Sequence, residues 1–292
     1  MVLGSCISLQ LGAACAAQLF PLIGPTPSTL LRMAVAAVVL LALTRPRARS
    51  LTRQQWRAVV LLGLALAAMN GFFYASIARI PLGTAVTVEF LGPLALAALT
   101  SRRARDFAWV ALALGGVVLL GLTGHGPGTS SLDPVGVIFA LVAGGFWAAY
   151  ILANARVGAQ APGLGGLALA TAVGALLLLP LGGLGAAQAL AQPGLLLLIA
   201  GTGVLASVIP YSLELSALRR LGPGAFGVLL SLEPAVAALA GWLLLSQGMH
   251  LLGIVAIALV VTASAGSTLT RAPLRTTEPP ALVTTPPNHH KE

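Results

Sequence analysis

The chain has 292 residues, of which 58% are hydrophobic and only 8% are charged. Soluble domains carry about a quarter charged residues, so this composition excludes a soluble protein and indicates an integral membrane protein. The 16 basic and 7 acidic residues give a net charge of +9, but the arginines are scattered through short loops, which excludes a nucleic-acid-binding face.

Ten apolar segments follow one another along the chain, each near the ~20 residues that cross a bilayer. We predict an all-α membrane protein whose helices span residues 2–23, 26–44, 57–78, 82–100, 106–123, 134–154, 163–183, 194–217, 223–245 and 248–270. Prolines and glycines mark most of the helix ends. The tail, residues 271–292, is polar and proline-rich, so we expect it to be disordered.

The distribution of basic residues predicts the orientation in the membrane. With the N-terminus inside the cell, all of the 16 basic residues except Arg32 and Arg79 fall in cytoplasmic loops or the tail. Lysine and arginine are enriched on the cytoplasmic side of membrane proteins. We therefore predict an inner-membrane protein with both termini in the cytoplasm.

An internal repeat relates the two halves of the chain. The run IPLGTAVTVEFLGPLALAAL, residues 80–99, recurs in altered form 141 residues later as LGPGAFGVLLSLEPAVAALA, residues 221–240. Five helices per half is an odd number, so the second half inserts upside down relative to the first. We predict two inverted five-helix repeats, residues 1–123 and 134–270, an arrangement that forms a site near the bilayer midplane.

Two acidic residues lie inside the repeated run. Glu233 falls one helical turn beyond the counterpart of Glu89. A carboxylate at the bilayer centre costs about 2.5–3.5 kcal/mol, so we expect both to serve a substrate or proton pathway. Glu214 lies about one turn from the cytoplasmic end of its helix, where it could instead pair with Arg219 or Arg220.

Arg32 is the remaining charge within the spans, at about the same depth as Glu89. One interpretation is an ion pair that locks helix 2 to helix 4. The alternative is that Arg32 holds the carboxylate of a substrate while a glutamate holds its ammonium group. The sequence leaves both open.

Polar residues also recur at helical spacing in three other spans. We expect these stripes to face a shared cavity rather than lipid. For the smaller residues Ser207, Thr84, Thr87 and Asn154, we favour hydrogen bonding between helices. The larger residues assigned to the pathway are Asn70, Tyr74, Trp147, Tyr150 and Tyr211.

Two prolines follow the acidic positions. Pro93 comes four residues after Glu89, so it cannot donate a hydrogen bond to the carbonyl of that residue. Pro234 does the same for Leu230. We interpret both prolines as candidate hinges, although proline kinks are common in membrane helices.

Enzyme chemistry has little support in the sequence. Cys6 and Cys15 would face opposite sides of one helix, and His125 and His250 have no second ligand at metal-binding spacing. No catalytic motif for hydrolysis occurs. We therefore predict a protein without enzymatic activity, bound metal or cofactor.

Four stretches of the chain are distinctive: FFYASIARIPLGTAV, VEFLGPLAL, IPYSLEL and LSLEPAVAAL. They resemble the threonine/homoserine exporters of the drug/metabolite transporter superfamily, which carry paired EamA domains. The resemblance implies ten helices in two inverted repeats around a cavity. It also implies export of small amino acids driven by proton entry, and it supports Glu89, Glu214 and Glu233 as shared features without assigning their roles.

The resulting hypothesis is an exporter of threonine, homoserine or similar amino acids, working by proton antiport and alternating access. Its expected partners are the amino acid, protons and the lipid bilayer, and a homodimer is left open. One alternative is efflux of drugs or other metabolites, although aromatic residues make up only 5% of the chain. Another is a non-transporting scaffold, in which the buried acids would be dispensable.

Overall fold

The computed structural model describes residues 1–101, 104–122, 132–160, 164–218, 220 and 223–270. Within these ranges the chain is helical and contains no strand. The predicted disordered tail, residues 271–292, lies outside the described residues, as do Arg219, His125 and the boundary between the two predicted repeats.

The first half contains six helices. They are α1 (Val2–Ile23), α2 (Pro25–Thr44), α3 (Arg53–Ile77), α4 (Leu82–Glu89), α5 (Leu91–Ser101) and α6 (Ala104–Leu122). The second half contains seven. They are α7 (Pro134–Gln160), α8 (Gly165–Leu190), α9 (Pro193–Gly203), α10 (Ile209–Leu218), α11 (Pro223–Leu230), α12 (Glu233–Leu245) and α13 (Leu251–Leu269).

These helices account for the ten predicted spans. Among the described residues, nine helical stretches are long and apolar enough to cross a membrane, with α4–α5, α9–α10 and α11–α12 each counted as one. The further helix α6 is 19 residues long and lies where the fifth span is predicted. The predicted all-helical membrane architecture is therefore confirmed.

Some predicted helix bounds are wrong by several residues. Helix α3 begins at Arg53 rather than at residue 57 because Thr52 and Gln55 form a capping box. Helix α13 begins at Leu251 rather than at residue 248, after a left-handed turn at Ser246 with φ of 53°. Helices α7 and α8 continue beyond their predicted ends.

Three of the spans are interrupted. The fourth breaks at Phe90, and the ninth breaks at Ser231 and Leu232. Helices α4 and α11, which precede these breaks, have bounds that differ by 141 residues at both ends. The eighth span contains a π-helical turn at Val204–Val208, here called the π turn, between α9 and α10.

The helices pack around a central space. Helix α3 lies against α7 and α8, α2 against α8, and α6 against α13, while α1 contacts α2, α10, α12 and the π turn. Small residues allow the closest approaches, as is usual between membrane helices. At Gly12 of α1, for example, a Cβ atom would lie 2.5 Å from the backbone nitrogen of Ala206.

Candidate functional site

A cavity of about 700 Å³ lies between the interrupted fourth and ninth spans. Its walls come from both halves of the chain. Of the pathway residues and hinges named from the sequence, those that line it are Arg32, Asn70, Glu89, Pro93, Trp147, Tyr150, Tyr211, Glu214 and Glu233. The structure thus brings together charged side chains that are up to 201 positions apart in the sequence.

Tyr74 and Pro234 do not line the cavity. Tyr74 is fully buried behind it, with its ring centroid 5.4 Å from that of Phe20. The guanidinium carbon of Arg32 lies 5.3 Å from the centre of the Tyr74 ring. Tyr74 therefore supports Arg32 from behind rather than facing a substrate.

Arg32 is buried and directed toward the π turn. Its Nε donates a hydrogen bond to the Ser207 hydroxyl at 3.1 Å, and its Nη2 donates to the Ala206 carbonyl at 2.8 Å. It makes no ion pair with Glu89, which was one of the two arrangements that the sequence left open. An ion pair joins Arg79 to Asp133 at the surface, away from the cavity.

The π turn explains this orientation of Arg32. A π turn widens the helix locally and disturbs its regular hydrogen bonding, and such turns are frequent at functional sites. Here the Ala206 carbonyl accepts from Arg32, and the Leu205 carbonyl accepts from the Ser8 hydroxyl at 2.8 Å. Helices α1 and α2 thereby hold the turn from two sides.

Glu89 is the last residue of α4 and is 7% exposed. Its carboxylate makes no hydrogen bond or ion pair with any described residue. It faces the cavity within electrostatic range of Arg32 and Glu233. Its backbone carbonyl, which Pro93 leaves without a helical donor, lies so close to Gly144 that a Cβ there would be 2.5 Å away.

Glu233 and Glu214 are both hydrogen-bonded by helix α1. The Gln10 Nε2 donates to Glu233 Oε1 at 3.1 Å, and the Ser5 hydroxyl donates to Glu214 Oε1 at 2.7 Å. No ion pair joins Glu214 to Arg220, which was one of the partners that the sequence left open, and Arg220 is exposed.

Sequence reasoning missed the contribution of α1. Ser5, Ser8 and Gln10 are three polar residues within six positions of an otherwise apolar helix. That clustering was the available signal, because polar groups in membrane helices usually face a partner. It could not identify the two acids, which lie more than 200 residues away along the chain.

The charges of the cavity are unbalanced. Glu233 lies within electrostatic range of both Glu214 and Glu89. Arg32 is the one basic side chain among the described residues that line the cavity. With all four groups ionised the lining would carry a net charge of −2, so it favours protons or a substrate that carries a positive group.

Aromatic side chains form a large part of the cavity wall. Phe90 and Trp147 meet edge to face, with ring centroids 4.8 Å apart. The aromatic residues of the wall are Phe73, Phe90, Trp147, Tyr150, Tyr211 and Phe226. Aromatic residues are few in this chain, and they are enriched at the cavity.

Further polar groups reach the cavity. The amide nitrogen of Asn70 donates to the Leu66 carbonyl of its own helix at 2.7 Å, which leaves the amide oxygen to face the cavity. Helix α13 contributes Ser264, Ser267 and Thr268, none of which sequence reasoning had selected. The cavity thus offers hydrogen-bonding groups beyond its charges.

One end of the cavity is closed. There α4 packs against α12, and a Cβ at Gly83 would lie 2.6 Å from the Cα of Ala238. The Gln247 side-chain oxygen accepts a hydrogen bond from the Leu82 backbone nitrogen at 3.0 Å. At the other end the lining reaches the exposed residues Thr100 and Asn154.

Comparison with known proteins identifies the family. The model of the EamA-like transporter family matches residues 134–269. The threonine/homoserine exporter RhtA of Salmonella typhimurium is 41% identical over 264 residues, which cover 90% of this chain and 88% of that protein. RhtA of Escherichia coli K12 is 40% identical over the same shares.

A solved crystal structure shares the fold. It covers 92% of this chain and 96% of its own, with a TM-score of 0.64 and 21% sequence identity. The relatives are transporters rather than enzymes, and together with the apolar helices they indicate a multi-pass inner-membrane protein. The chain belongs to the EamA-like transporter family.

Proposed function

We propose that this protein exports threonine, homoserine or similar small polar amino acids from the cytoplasm. One observation carries the proposal: Arg32 and Glu89 line the same cavity without pairing with each other. A free amino acid carries a carboxylate and an ammonium group, which need a cation and an anion. The names of the exporters that are 40–41% identical support the choice of substrate.

The proposed binding mode uses the two charges directly. Arg32 has five N–H donors, of which one goes to Ser207 and one to Ala206. Others can hold the substrate carboxylate, while the Glu89 carboxylate holds the ammonium group. Hydrogen bonds to charged groups contribute about 1.5–3 kcal/mol each, so both contacts together would set the affinity.

The interrupted fourth and ninth spans support alternating access. Helix α4 runs from the closed end toward the cavity, whereas α11 begins at the opposite end and α12 finishes at the closed end. The opposed directions and the matching breaks support the inverted repeat and a hinge role for Pro93 and Pro234. With both termini cytoplasmic, the open end faces the cytoplasm, where an exporter loads its substrate.

Proton antiport supplies the driving force in this proposal. One proton entering down a potential of 100 mV releases ~2.3 kcal/mol, enough for roughly fiftyfold accumulation of a neutral substrate. The excess of acidic groups over Arg32 provides carboxylates that can take up and release this proton.

Flux into proteoliposomes tests the function. Labelled threonine or homoserine is supplied under an imposed pH gradient, and wild type is compared with Glu89→Gln. The matched control is Asp133→Asn, an acid-to-amide change at a half-exposed residue away from the cavity. We expect gradient-dependent flux in wild type and control, and loss of flux in Glu89→Gln.

Two results would contradict this expectation. Folded wild-type protein that moves neither amino acid would overturn the substrate assignment. Unchanged flux in Glu89→Gln would remove Glu89 from the substrate site and would favour a role in which the buried acids are dispensable.

Efflux of lipophilic cations is a second candidate, and the aromatic wall favours it. Phe90 and Trp147 line a cavity of about 700 Å³, which is within the size range of pockets for drug-sized ligands. Aromatic rings attract cations that are shielded from water. A resistance profile of cells that express wild type or Trp147→Ala separates this candidate from amino-acid export.

A further inference from the structure

Gln10 and Glu233 form a buried pair in which one hydrogen-bond acceptor lacks a donor. Gln10 is 1% exposed, and its Nε2 donates to Glu233 Oε1 at 3.1 Å. The Gln10 Oε1 atom is buried and has no partner among the described residues. A buried amide oxygen without a donor is unusual, because such groups are nearly always paired.

The pair is placed to receive a donor from a bound molecule, because both residues line the cavity. Gln10 directs its amide nitrogen at Glu233, so its oxygen and the remaining capacity of the carboxylate are acceptors. Grouped acceptors next to a carboxylate suit an ammonium group, which has three N–H donors and a positive charge. A hydroxyl or a water molecule would leave the negative charge without a counter-ion.

The charges of the cavity stand in an order that a second ammonium group would match. Glu89 lies within electrostatic range of both Arg32 and Glu233. The groups that act on Glu233 itself are Gln10 and Glu214, and Arg32 is not among them. The lining therefore presents a cation, a first acid close to that cation, and a second acid farther from it.

An ordinary amino acid would match only the first two of these charges. In the proposed binding mode its carboxylate binds Arg32 and its ammonium group binds Glu89. A zwitterion is neutral, so it leaves the net charge of −2 that the ionised lining carries. A second ammonium group on the side chain of the substrate would reduce this excess and would face Glu233.

We propose that the cavity also binds short diamino acids, and that Gln10 and Glu233 hold their side-chain ammonium group. This inference rests on the proposed amino-acid site and extends its substrate class. The best test ligand is 2,4-diaminobutyrate, which is homoserine with the hydroxyl replaced by an ammonium group. Its N–H donors can be shared between Gln10 Oε1 and the Glu233 carboxylate, and no covalent bond changes.

Isothermal titration calorimetry of the purified protein in detergent tests the inference without a transport assay. Wild type is titrated with threonine, diaminobutyrate, 2-aminobutyrate and 1,3-diaminopropane. Aminobutyrate lacks the second ammonium group, and diaminopropane lacks the carboxylate that Arg32 would bind. We expect diaminobutyrate to bind about tenfold more tightly than either, the effect of one added charge-assisted contact.

Two variants assign the contact to the pair. Gln10→Met keeps the length of the side chain but neither hydrogen-bonding group, and Glu233→Gln removes the charge. In each, the ratio of diaminobutyrate affinity to aminobutyrate affinity should fall about tenfold. A ratio measured within one variant does not depend on the fraction of folded protein. Gln188→Met, at an exposed position of α8, is the matched control and should keep the wild-type ratio.

Three results would overturn the inference. Equal wild-type affinity for diaminobutyrate and aminobutyrate would exclude the second ammonium site, while threonine binding in the same experiment would leave the proposed function intact. Equal affinity for diaminopropane would indicate a site for diamines rather than amino acids. An unchanged ratio in both variants would place the ammonium group away from Gln10 and Glu233.

The opposite combination separates the two proposals. If wild type binds diaminobutyrate with the expected ratio but does not bind threonine, the ammonium site stands. The substrate assignment of the proposed function would then be overturned.

Discussion

Arg32 Nε lies 3.1 Å from the Ser207 hydroxyl, although the two residues are 175 positions apart. This bond holds the guanidinium against the π turn, with the Tyr74 ring behind it. Ser207→Ala should therefore leave the Arg32 charge in the cavity but no longer fix the orientation of its guanidinium group. Loss of one hydrogen bond of about 1 kcal/mol predicts roughly fivefold weaker threonine binding.

Scintillation proximity binding with labelled threonine measures this effect. Ser216→Ala is the control, because the Ser216 hydroxyl bonds to the Ser212 carbonyl of its own helix and to no other described residue. Equal affinity in both variants would show that Ser207 does not orient Arg32.

Replacing Arg32 by lysine should weaken threonine binding more than Ser207→Ala does. Lysine keeps a positive charge, but it cannot bind Ser207, the Ala206 carbonyl and a carboxylate through one planar group. We expect the KM for threonine to rise about tenfold to a hundredfold, equivalent to about 1.5–3 kcal/mol. Arg79→Lys, at the surface ion pair with Asp133, should leave the KM unchanged. Full activity of Arg32→Lys would mean that any cation suffices.

Gly144 should be intolerant of a side chain. A Cβ at this position would lie 2.5 Å from the Glu89 carbonyl, so the backbones of α4 and α7 would have to separate. Gly144→Ala should lower the free energy of unfolding by about 1–3 kcal/mol, the usual cost of overpacking. At the neighbouring Gly145 nothing lies within 4 Å of the added atom, so Gly145→Ala should not destabilise the protein. Thermal unfolding in detergent compares them, and equal melting temperatures would contradict the packing argument.

Asn70 should determine the preference for hydroxylated amino acids. Its amide nitrogen is tied to Leu66, so its oxygen is a fixed acceptor at the cavity surface. Sites that hydrogen-bond a substrate hydroxyl discriminate strongly against analogues that lack it. We expect wild type to prefer threonine to 2-aminobutyrate, and Asn70→Ala to lose most of this preference. Competition assays measure the ratio, and an unchanged ratio would place the hydroxyl elsewhere.

Gln247 should stabilise the closed end. Its side-chain oxygen accepts from the Leu82 backbone nitrogen, which joins the start of α4 to the segment after α12. In protein with Cys6 and Cys15 replaced by alanine, a cysteine in place of the buried Thr84 reports opening at this end. Gln247→Ala should increase its labelling by an impermeant maleimide about fivefold.

The exposed Gln188 provides the control substitution for this experiment. If Gln188→Ala and Gln247→Ala label at the same rate, the hydrogen bond to Leu82 does not hold the end closed.

Much of this architecture could be predicted from the sequence, because membrane helices must be long and apolar. The acids that line the cavity could also be predicted, because placing the carboxylates of Glu89 and Glu233 in contact with lipid would cost free energy. Their partners could not, because those depend on how distant helices pack. Arg32 was expected to have Glu89 as a candidate partner, and it binds the π turn instead.

Helical spacing alone also did not predict correctly which residues line the cavity. Tyr74 is one turn from Asn70 and was expected on the same cavity wall, yet the packing of Phe20 and Arg32 covers it. The early start of α3 was missed because Thr52 and Gln55 stabilise the first turn through side chains. Local hydrogen bonds of this kind do not change the hydropathy of a segment.

The hydrogen bonds made by α1 make the two halves of the chain depend on each other. Ser5 and Gln10 belong to the first half of the chain, whereas the carboxylates they bind, Glu214 and Glu233, belong to the second. A second half produced alone would leave both acids without these donors in a low-dielectric interior. The first half thus supplies donors and the second half the acceptors that they bind, so the two halves produced as separate chains should each be less stable than the whole protein.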